Sequence, residues 1–125
     1  MELKFIAGTT FKRKFFLASA GISDVADYTF YLEVRRALAD ADPFISIDSV
    51  AANGNGSVIN IDLVNNRIEI IISSLETVGL ASLGRDMTYF WDLRLVHTDD
   101  SVKVLYPASS MVIQKVSTRT GKDLV

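Results

Sequence analysis

The sequence predicts an all-β fold, in which two antiparallel sheets form a β-sandwich and one short helix lies in a crossover. About eight short segments alternate apolar and polar residues, and turn signals rich in Gly, Asn, Asp and Pro separate them. One of these segments, residues 88–96, has one apolar face. Another pattern, over residues 57–72, is typical of a β-hairpin. Many short strands separated by turns indicate a sandwich.

Residues 88–96 form the strand around which the rest of the chain is organised. Because side chains alternate along a strand, one face is apolar and the other is mixed and charged. Such a strand covers a core on one side and meets solvent on the other. Trp91 is the only tryptophan, and we expect it to be the largest anchor of the core. The apolar face consists of Tyr89, whose phenol is expected to reach water, Trp91, Leu93 and Leu95; the other face consists of Thr88, Phe90, Asp92 and Arg94.

Two strands are predicted before the first loop. Residues 4–9 alternate as a first strand, in which Gly8 marks a bulge or a bend. Residues 10–18 form a second strand with a basic start. Such cations are typical of an exposed sheet edge that is protected against further pairing, and a phosphate-binding patch is the alternative. The three cations are Lys12, Arg13 and Lys14.

The next strand is predicted over residues 28–36, after a loop at 19–27. Aromatic and β-branched residues dominate its first half, which favours a strand, although residues 35–39 would also fit a helix. A proline disfavours helix at the residue before it, so residues 40–43 end this element. A short strand follows at 44–49.

The hairpin is the clearest local prediction. A flexible loop at 51–56, with two Asn-Gly pairs, leads into a strand at 57–63. Asn65 and Asn66 form a tight turn, and residues 67–72 form the return strand, with its alternate isoleucines directed inward.

A short helix is predicted directly after the hairpin. Ser73 is suited to the N-cap, and Glu76 lies three residues further on, as in a capping box. We expect one or two turns that end at Gly79 or at the latest at Gly84, since an interior glycine costs about 1 kcal/mol. The apolar residues of this segment are Leu75, Val78, Leu80 and Leu83.

The remaining chain is predicted to contain a turn and two more strands. Residues 97–101 form the turn, and residues 102–106 form a strand that Pro107 interrupts or places at an edge. Residues 111–116 form the last strand, and 118–125 a frayed end.

Length and composition set limits on the class of protein. The 125 residues fit one domain, which we place at 1–119 with a tail at 120–125, and we find no internal repeat. The chain has no cysteine, which excludes disulfides, thiolate catalysis and cysteine-ligated metals. Its net charge of −2 does not favour nucleic-acid binding. The first residues do not fit a signal peptide, and no apolar run would span a membrane, so we expect a soluble protein made in the cytoplasm.

The sequence offers little catalytic or metal-binding chemistry. The single histidine, His97, falls in a predicted turn without a nucleophile motif, and we expect it to be exposed. Aspartate pairs occur where turns are expected, and neither EF-hand spacing nor a phosphate loop is present. Aromatic residues at inward positions are more typical of a core than of a stacking platform. We therefore expect no catalytic residue, no cofactor and no metal. The pairs are Asp24/Asp27, Asp40/Asp42 and Asp99/Asp100, and the aromatic residues are Tyr28, Phe30, Tyr89 and Trp91.

Several stretches in order resemble Ig-like domains of bacteriophage virion proteins, such as the N-terminal domains of siphophage baseplate upper proteins. The match covers nearly the whole chain, but Val25-Ala26 and Pro107 depart from the pattern. The longer fibre part to which such domains are often fused has no counterpart. The matching stretches are residues 8–13, 23–28, 30–35, 70–73, 75–83, 89–95 and 112–119.

This resemblance implies a structural role in a virion that is synthesised in a bacterial host cytoplasm. It implies an Ig-like fold, no catalysis, contacts with other virion proteins and self-assembly as a homo-oligomer in a symmetric array, with neither nucleic acid nor membrane as partner. A stand-alone Ig-like module that binds carbohydrate or peptide is the alternative, and a small enzyme is a third hypothesis. The candidate interface residues are Lys12, Arg13, Lys14, Asn53 and Asn55.

Overall fold

The predicted all-β sandwich is confirmed by a computed structural model, which describes residues 2–80, 85–106 and 109–114. One α-helix, α1 (Ser74–Val78), lies among these residues, together with two short 3₁₀ helices at Ala18–Ala20 and Val25–Asp27. The described strands are β1 (Leu3–Ile6), β2 (Phe11–Phe16), β3 (Tyr28–Arg35), β4 (Ile45–Asp48), β5 (Val58–Asp62), β6 (Arg67–Ile72), β7 (Met87–His97), β8 (Val102–Val104) and β9 (Ser109–Gln114).

The strands form two sheets. The large sheet has the order β1-β9-β7-β3-β4, and β8 pairs with the second half of β7. The small sheet has the order β2-β6-β5. All strand pairs are antiparallel except β1 and β9, which run parallel, with Leu3 opposite Met111 and Ile6 opposite Gln114. The large sheet is therefore mixed, which differs from the predicted antiparallel arrangement.

The core lies between the two sheets, and the predicted alternation of β7 is confirmed. Trp91 is 1% exposed, and its indole Nε1 donates a hydrogen bond to the Ser110 carbonyl at 3.0 Å. Its ring packs against Tyr106 and against Phe15 of the small sheet, with centroid distances of 5.3 and 6.2 Å. Tyr89 differs from the expectation, since its buried hydroxyl donates to the Leu80 carbonyl at 3.1 Å rather than reaching water.

Most predicted strands are confirmed within one or two residues at each end. The first strand is an exception, because it begins at Leu3 and ends before the turn in which Gly8 has a positive φ of 84°. The third strand ends at Arg35, and residues 36–39 form bends and turns rather than a helix. Residues 81–84, 107, 108 and 115–125 lie outside the described part, and with them the predicted tail.

The predicted helix is confirmed with its cap, and within the helix two polar residues are buried while two apolar residues are exposed. The Ser73 side chain accepts a hydrogen bond from the Glu76 N–H, and Gly79 ends the helix. Glu76 and Thr77 are buried, whereas Leu75 and Val78 are 63% and 55% exposed. Among the described helices, none is long and apolar enough to cross a membrane.

The buried polar face of α1 ties the helix to both neighbouring segments. Thr77 Oγ1 accepts a hydrogen bond from the Gly8 N–H at 3.0 Å and donates to the Thr9 carbonyl at 2.7 Å. Glu76 Oε1 accepts from Asn53 Nδ2 at 2.8 Å. Hydrogen bonds thus determine which face of this short helix is buried.

Candidate functional site

The basic start of the second predicted strand lies on an edge of the small sheet. Within the described chain, β2 pairs only with β6, which leaves its other side without a neighbouring strand. Lys12, Arg13 and Lys14 are all exposed. Arg13 lies on the same face as the buried Phe11 and Phe15, and its guanidinium lies 5.8 Å from the Phe15 ring centroid. An inward-side charge on an edge strand is a known protection against further strand pairing.

The two asparagines of the candidate interface have different surroundings. The Asn53 side chain uses its full hydrogen-bonding capacity within the chain. Its Oδ1 accepts from the Asn55 and Ser57 N–H groups, both at 3.0 Å, and its Nδ2 donates to Ser46 O and Glu76 Oε1. Asn53 therefore organises the loop, whereas Asn55 is exposed.

His97 is the last residue of β7 rather than part of the predicted turn, and it is not fully exposed. Its side chain is 21% exposed, and Nε2 lies 3.1 Å from Asp24 Oδ2. Nδ1 accepts a hydrogen bond from the Asp99 N–H at 3.1 Å. The ring also packs edge-on against Tyr28, with a centroid distance of 4.8 Å. The histidine thus joins the loop before β3 to the turn after β7.

The surrounding carboxylates change the proton affinity of this histidine. Partial burial lowers the pKa of His97, but the hydrogen bond to Asp24 and the negative charges of Asp99, Asp24 and Asp27 outweigh it, so that the pKa lies above its usual value. Hydrogen bonds from Ser101 lower the pKa of Asp99, and the nearby His97 contributes in the same direction.

The same residues are a possible ligand set for a divalent cation. Asp24, Asp27 and His97 each offer one ligand atom, and these atoms lie within 4.8 Å of one another. His97 Nε2 is, however, already occupied by Asp24, and Nδ1 is occupied by the Asp99 N–H. A cation would have to replace the Nε2 hydrogen bond, so we assign this cluster a structural role in joining two loops.

The outer face of the large sheet contains a repeat that the sequence analysis did not find. Residues 29–35 (TFYLEVR) and 88–94 (TYFWDLR) both begin with threonine, end with arginine and carry an acidic residue at the same position, and all their other positions are aliphatic or aromatic. In the structure the two segments are neighbours in β3 and β7, with Glu33 directly opposite Asp92. A local two-fold axis passes between any two directly opposed residues of antiparallel strands. Rotation about the axis between Glu33 and Asp92 places residues 29–35 on residues 88–94 in the same order.

The outward side chains of this repeat form a network of charges. Glu33 Oε1 lies 2.9 Å from Arg35 Nη2 and 3.3 Å from Arg94 Nη2, so it is shared by both arginines. Asp92 has a single, longer contact of 3.6 Å with Arg35 Nη1. Burial and the facing charge of Glu33 raise the pKa of Asp92, although both arginines oppose this effect. The Asp92 carboxylate is therefore less well neutralised by the arginines than the Glu33 carboxylate.

Two open clefts lie along this face and share Arg94. One has a volume of about 530 Å³ and is lined by the charge network together with Leu38, Asp40, Phe90 and Trp91. The other, of about 280 Å³, is lined by Tyr31, Arg94, Val96 and Val102. Aromatic and charged side chains thus alternate along a shallow surface rather than converging in an enclosed site.

The sequence pattern indicated the buried aromatic residues of β3 and β7 but not the outward ones. The four aromatic residues considered as a stacking platform are buried, as predicted. The outward aromatic residues Tyr31 and Phe90 were not singled out, because the mixed face of a strand is ordinarily a solvated one. A comparison of the two strand segments with each other would have found them, since the repeat places a tyrosine and a phenylalanine at matching positions. Neither a protein-family model nor a curated protein matches this chain.

Proposed function

We propose that this chain is a non-enzymatic structural protein of a bacteriophage particle, located in the baseplate, the tail or the head surface. The support consists of the β-sandwich fold and the ordered stretches that resemble Ig-like virion domains. Such a module acts by burying surface against other virion proteins, and edge strands and loops are the usual contact elements.

The observation that carries this proposal is the outward placement of apolar side chains on helix α1 and on the turn between β5 and β6. Helix α1 exposes Leu75 and Val78, although hydrogen bonds fix its orientation. The turn between β5 and β6 exposes Leu63 and Val64 by 62% and 93%. Single exposed apolar residues are ordinary, whereas neighbouring exposed apolar residues that form a patch mark contact surfaces.

Quantitative mass spectrometry of purified particles tests this proposal. We expect the chain in the particle fraction at a copy number that matches a rotational symmetry of the particle. Major capsid protein serves as the internal standard, and a cytoplasmic host enzyme serves as the control for carry-over. A chain that is abundant in the lysate but absent from purified particles would contradict the proposal.

A carbohydrate- or peptide-binding module is a second candidate, and the clefts on the large sheet favour it. Aromatic side chains beside arginines and carboxylates are groups that can stack on and hydrogen-bond to a polar ligand. A glycan array with the wild-type chain and with Arg94→Ala separates the two functions. Binding that depends on Arg94 would favour this module, whereas no signal together with recovery in particles would favour the structural role.

A further inference from the structure

We infer that Asn55 is a site of spontaneous covalent modification, at which the side-chain amide is lost by deamidation, and that the fold protects Asn53 from the same reaction. Both residues precede a glycine, and no other asparagine in the sequence does. The inference goes beyond the proposed function and is independent of it, since the reaction needs only this chain and water. Asn55 is one of the candidate interface residues, so the reaction changes the charge of that surface.

The reaction is intramolecular, and its atoms balance. The backbone nitrogen of the following residue gives up its proton and attacks the asparagine Cγ, and the side-chain nitrogen takes up that proton and leaves as ammonia. Water then opens the succinimide ring at either carbonyl, which gives aspartate or isoaspartate. Because nucleophile and electrophile belong to one chain, the entropic cost of an encounter is already met. A following glycine favours the attack, since it has no Cβ to obstruct it.

The two glycines do not differ in crowding. Gly54 and Gly56 are both exposed. A Cβ built on either of them would meet no heavy atom within 4 Å beyond the adjacent residues. Both attacking nitrogens therefore lie in open surroundings, and hydrogen bonds decide which asparagine reacts.

The Asn53 amide is held by hydrogen bonds on both of its polar atoms. Oδ1 accepts from the Asn55 and Ser57 N–H groups, both at 3.0 Å. Nδ2 donates to Glu76 Oε1 at 2.8 Å and to the Ser46 carbonyl at 3.2 Å. Glu76 is only 9% exposed, and a hydrogen bond to an ionised group is roughly twice as strong as a neutral one. Rotation of the amide toward the attacking nitrogen would break these contacts, so the fold holds it in an unreactive orientation.

Asn55 lacks this protection. The residue is exposed, and among the described residues its side chain has no hydrogen-bond partner. Only the attacking nitrogen is engaged, because the Gly56 N–H donates to the Asn53 carbonyl at 3.0 Å. That contact is a single neutral hydrogen bond in an exposed turn, whereas the reaction at Asn53 has to release four, one of them to a carboxylate. Asn55 is therefore the faster site.

The fold also tolerates the product at one position only. An aspartate at position 55 adds one negative charge to an exposed turn, and the net charge of the chain changes from −2 to −3. The same change at position 53 would replace the donor Nδ2 with an oxygen that faces the Glu76 carboxylate. Chains modified at position 55 therefore accumulate as a folded, more acidic species.

Peptide mapping of the aged, purified chain tests the inference. The folded chain is incubated in mildly alkaline buffer and digested with trypsin. The peptide that spans residues 37–67 contains both asparagines, and electron-transfer dissociation mass spectrometry locates the modification within it and separates aspartate from isoaspartate. The same chain in urea, above its unfolding transition, is the control, because both Asn-Gly pairs are then free of the fold.

We expect Asn55 to react at least tenfold faster than Asn53 in the folded chain, and the two to react at similar rates in urea. A factor of ten corresponds to about 1.4 kcal/mol, about the contribution of one hydrogen bond to a charged group. Asn55→Ser should remove the acidic species from ion-exchange chromatography. Glu76→Ala, with its fold checked by circular dichroism, should accelerate the reaction at Asn53 about tenfold.

Three results from the wild type would overturn the inference: an Asn53 that reacts as fast as Asn55 in the folded chain, a folded chain that stays unmodified while the unfolded chain reacts, or a ratio of the two rates that is the same in urea. An unchanged Asn53 rate in folded Glu76→Ala would overturn the protection assigned to that contact. If Glu76→Ala does not fold, the comparison of folded and unfolded wild type decides alone.

Discussion

Truncation of Trp91 to alanine should remove a large part of the free energy of unfolding. The side chain is 1% exposed and contacts aromatic rings from both layers of the sandwich. Removal of a buried tryptophan to alanine costs about 3–5 kcal/mol through lost burial and the cavity that remains. Domains of this kind have a total stability of about 5–15 kcal/mol, so Trp91→Ala should remove a large part of it.

Trp91→Phe separates the ring contacts from the hydrogen bond. Phenylalanine keeps much of the contact with Tyr106 and Phe15 but leaves the Ser110 carbonyl without its indole donor. The lost hydrogen bond costs about 1 kcal/mol, and the lost apolar area adds roughly another 1 kcal/mol. We therefore expect Trp91→Phe to cost about 2 kcal/mol, between the wild type and Trp91→Ala.

Urea unfolding followed by far-ultraviolet circular dichroism measures both costs, since the variants lack the only tryptophan. Phe16→Ala is the control, because Phe16 is 60% exposed and its ring centroid lies 5.6 Å from the Arg67 guanidinium. We expect that control to cost less than about 1 kcal/mol. A Trp91→Ala cost below that of Phe16→Ala would refute the claim that this indole anchors the sandwich.

Three further predictions concern the polar groups. His97 is the only histidine in the chain, and an NMR titration should give it a pKa above 6.5. Because the pKa of His97 is raised in the folded state, protonation stabilises the fold below pH 6.5, and this stability is lost as the pH rises through the folded pKa. If His97→Gln had the same pH dependence of the melting temperature as the wild type, this reasoning would be contradicted. Asp92→Asn should raise the unfolding free energy in urea at pH 7 by about 0.5 kcal/mol, because it removes the negative charge opposite Glu33. A lower unfolding free energy would instead show that the contact between Asp92 and Arg35 dominates. Thr77→Val should cost about 1–2 kcal/mol in urea unfolding, since it removes the acceptor of the Gly8 N–H, whereas Thr77→Ser should retain that bond.

Local periodicity predicted most strands because each is a short segment with one buried face. The hairpin shows this well, since its two strands pair with Ile61 opposite Ile68 and Ile59 opposite Ile70. The N-cap of α1 was also predictable, because Ser73 and the Glu76 N–H are only three residues apart.

Features that depend on distant residues were not predictable from local patterns. The burial of Thr77 and Glu76 in α1 was not predictable locally, because their partners lie in the turn between β1 and β2 and in the loop before β5. The same limit applies to His97, whose hydrogen-bond partner Asp24 is 73 residues away in the chain. Charge and turn propensity describe each of these residues separately, but only the fold brings them together.

The parallel pairing of β1 with β9 has a consequence for synthesis of the protein on the ribosome. Among the described strands, β1 pairs only with β9, so Leu3–Ile6 has no partner strand until Met111 to Gln114 have been made. Contacts between residues so distant in the chain form slowly. The nascent chain therefore holds β1 unpaired while the residues between β1 and β9 are synthesised, and we expect this strand to be where a ribosome-associated chaperone binds.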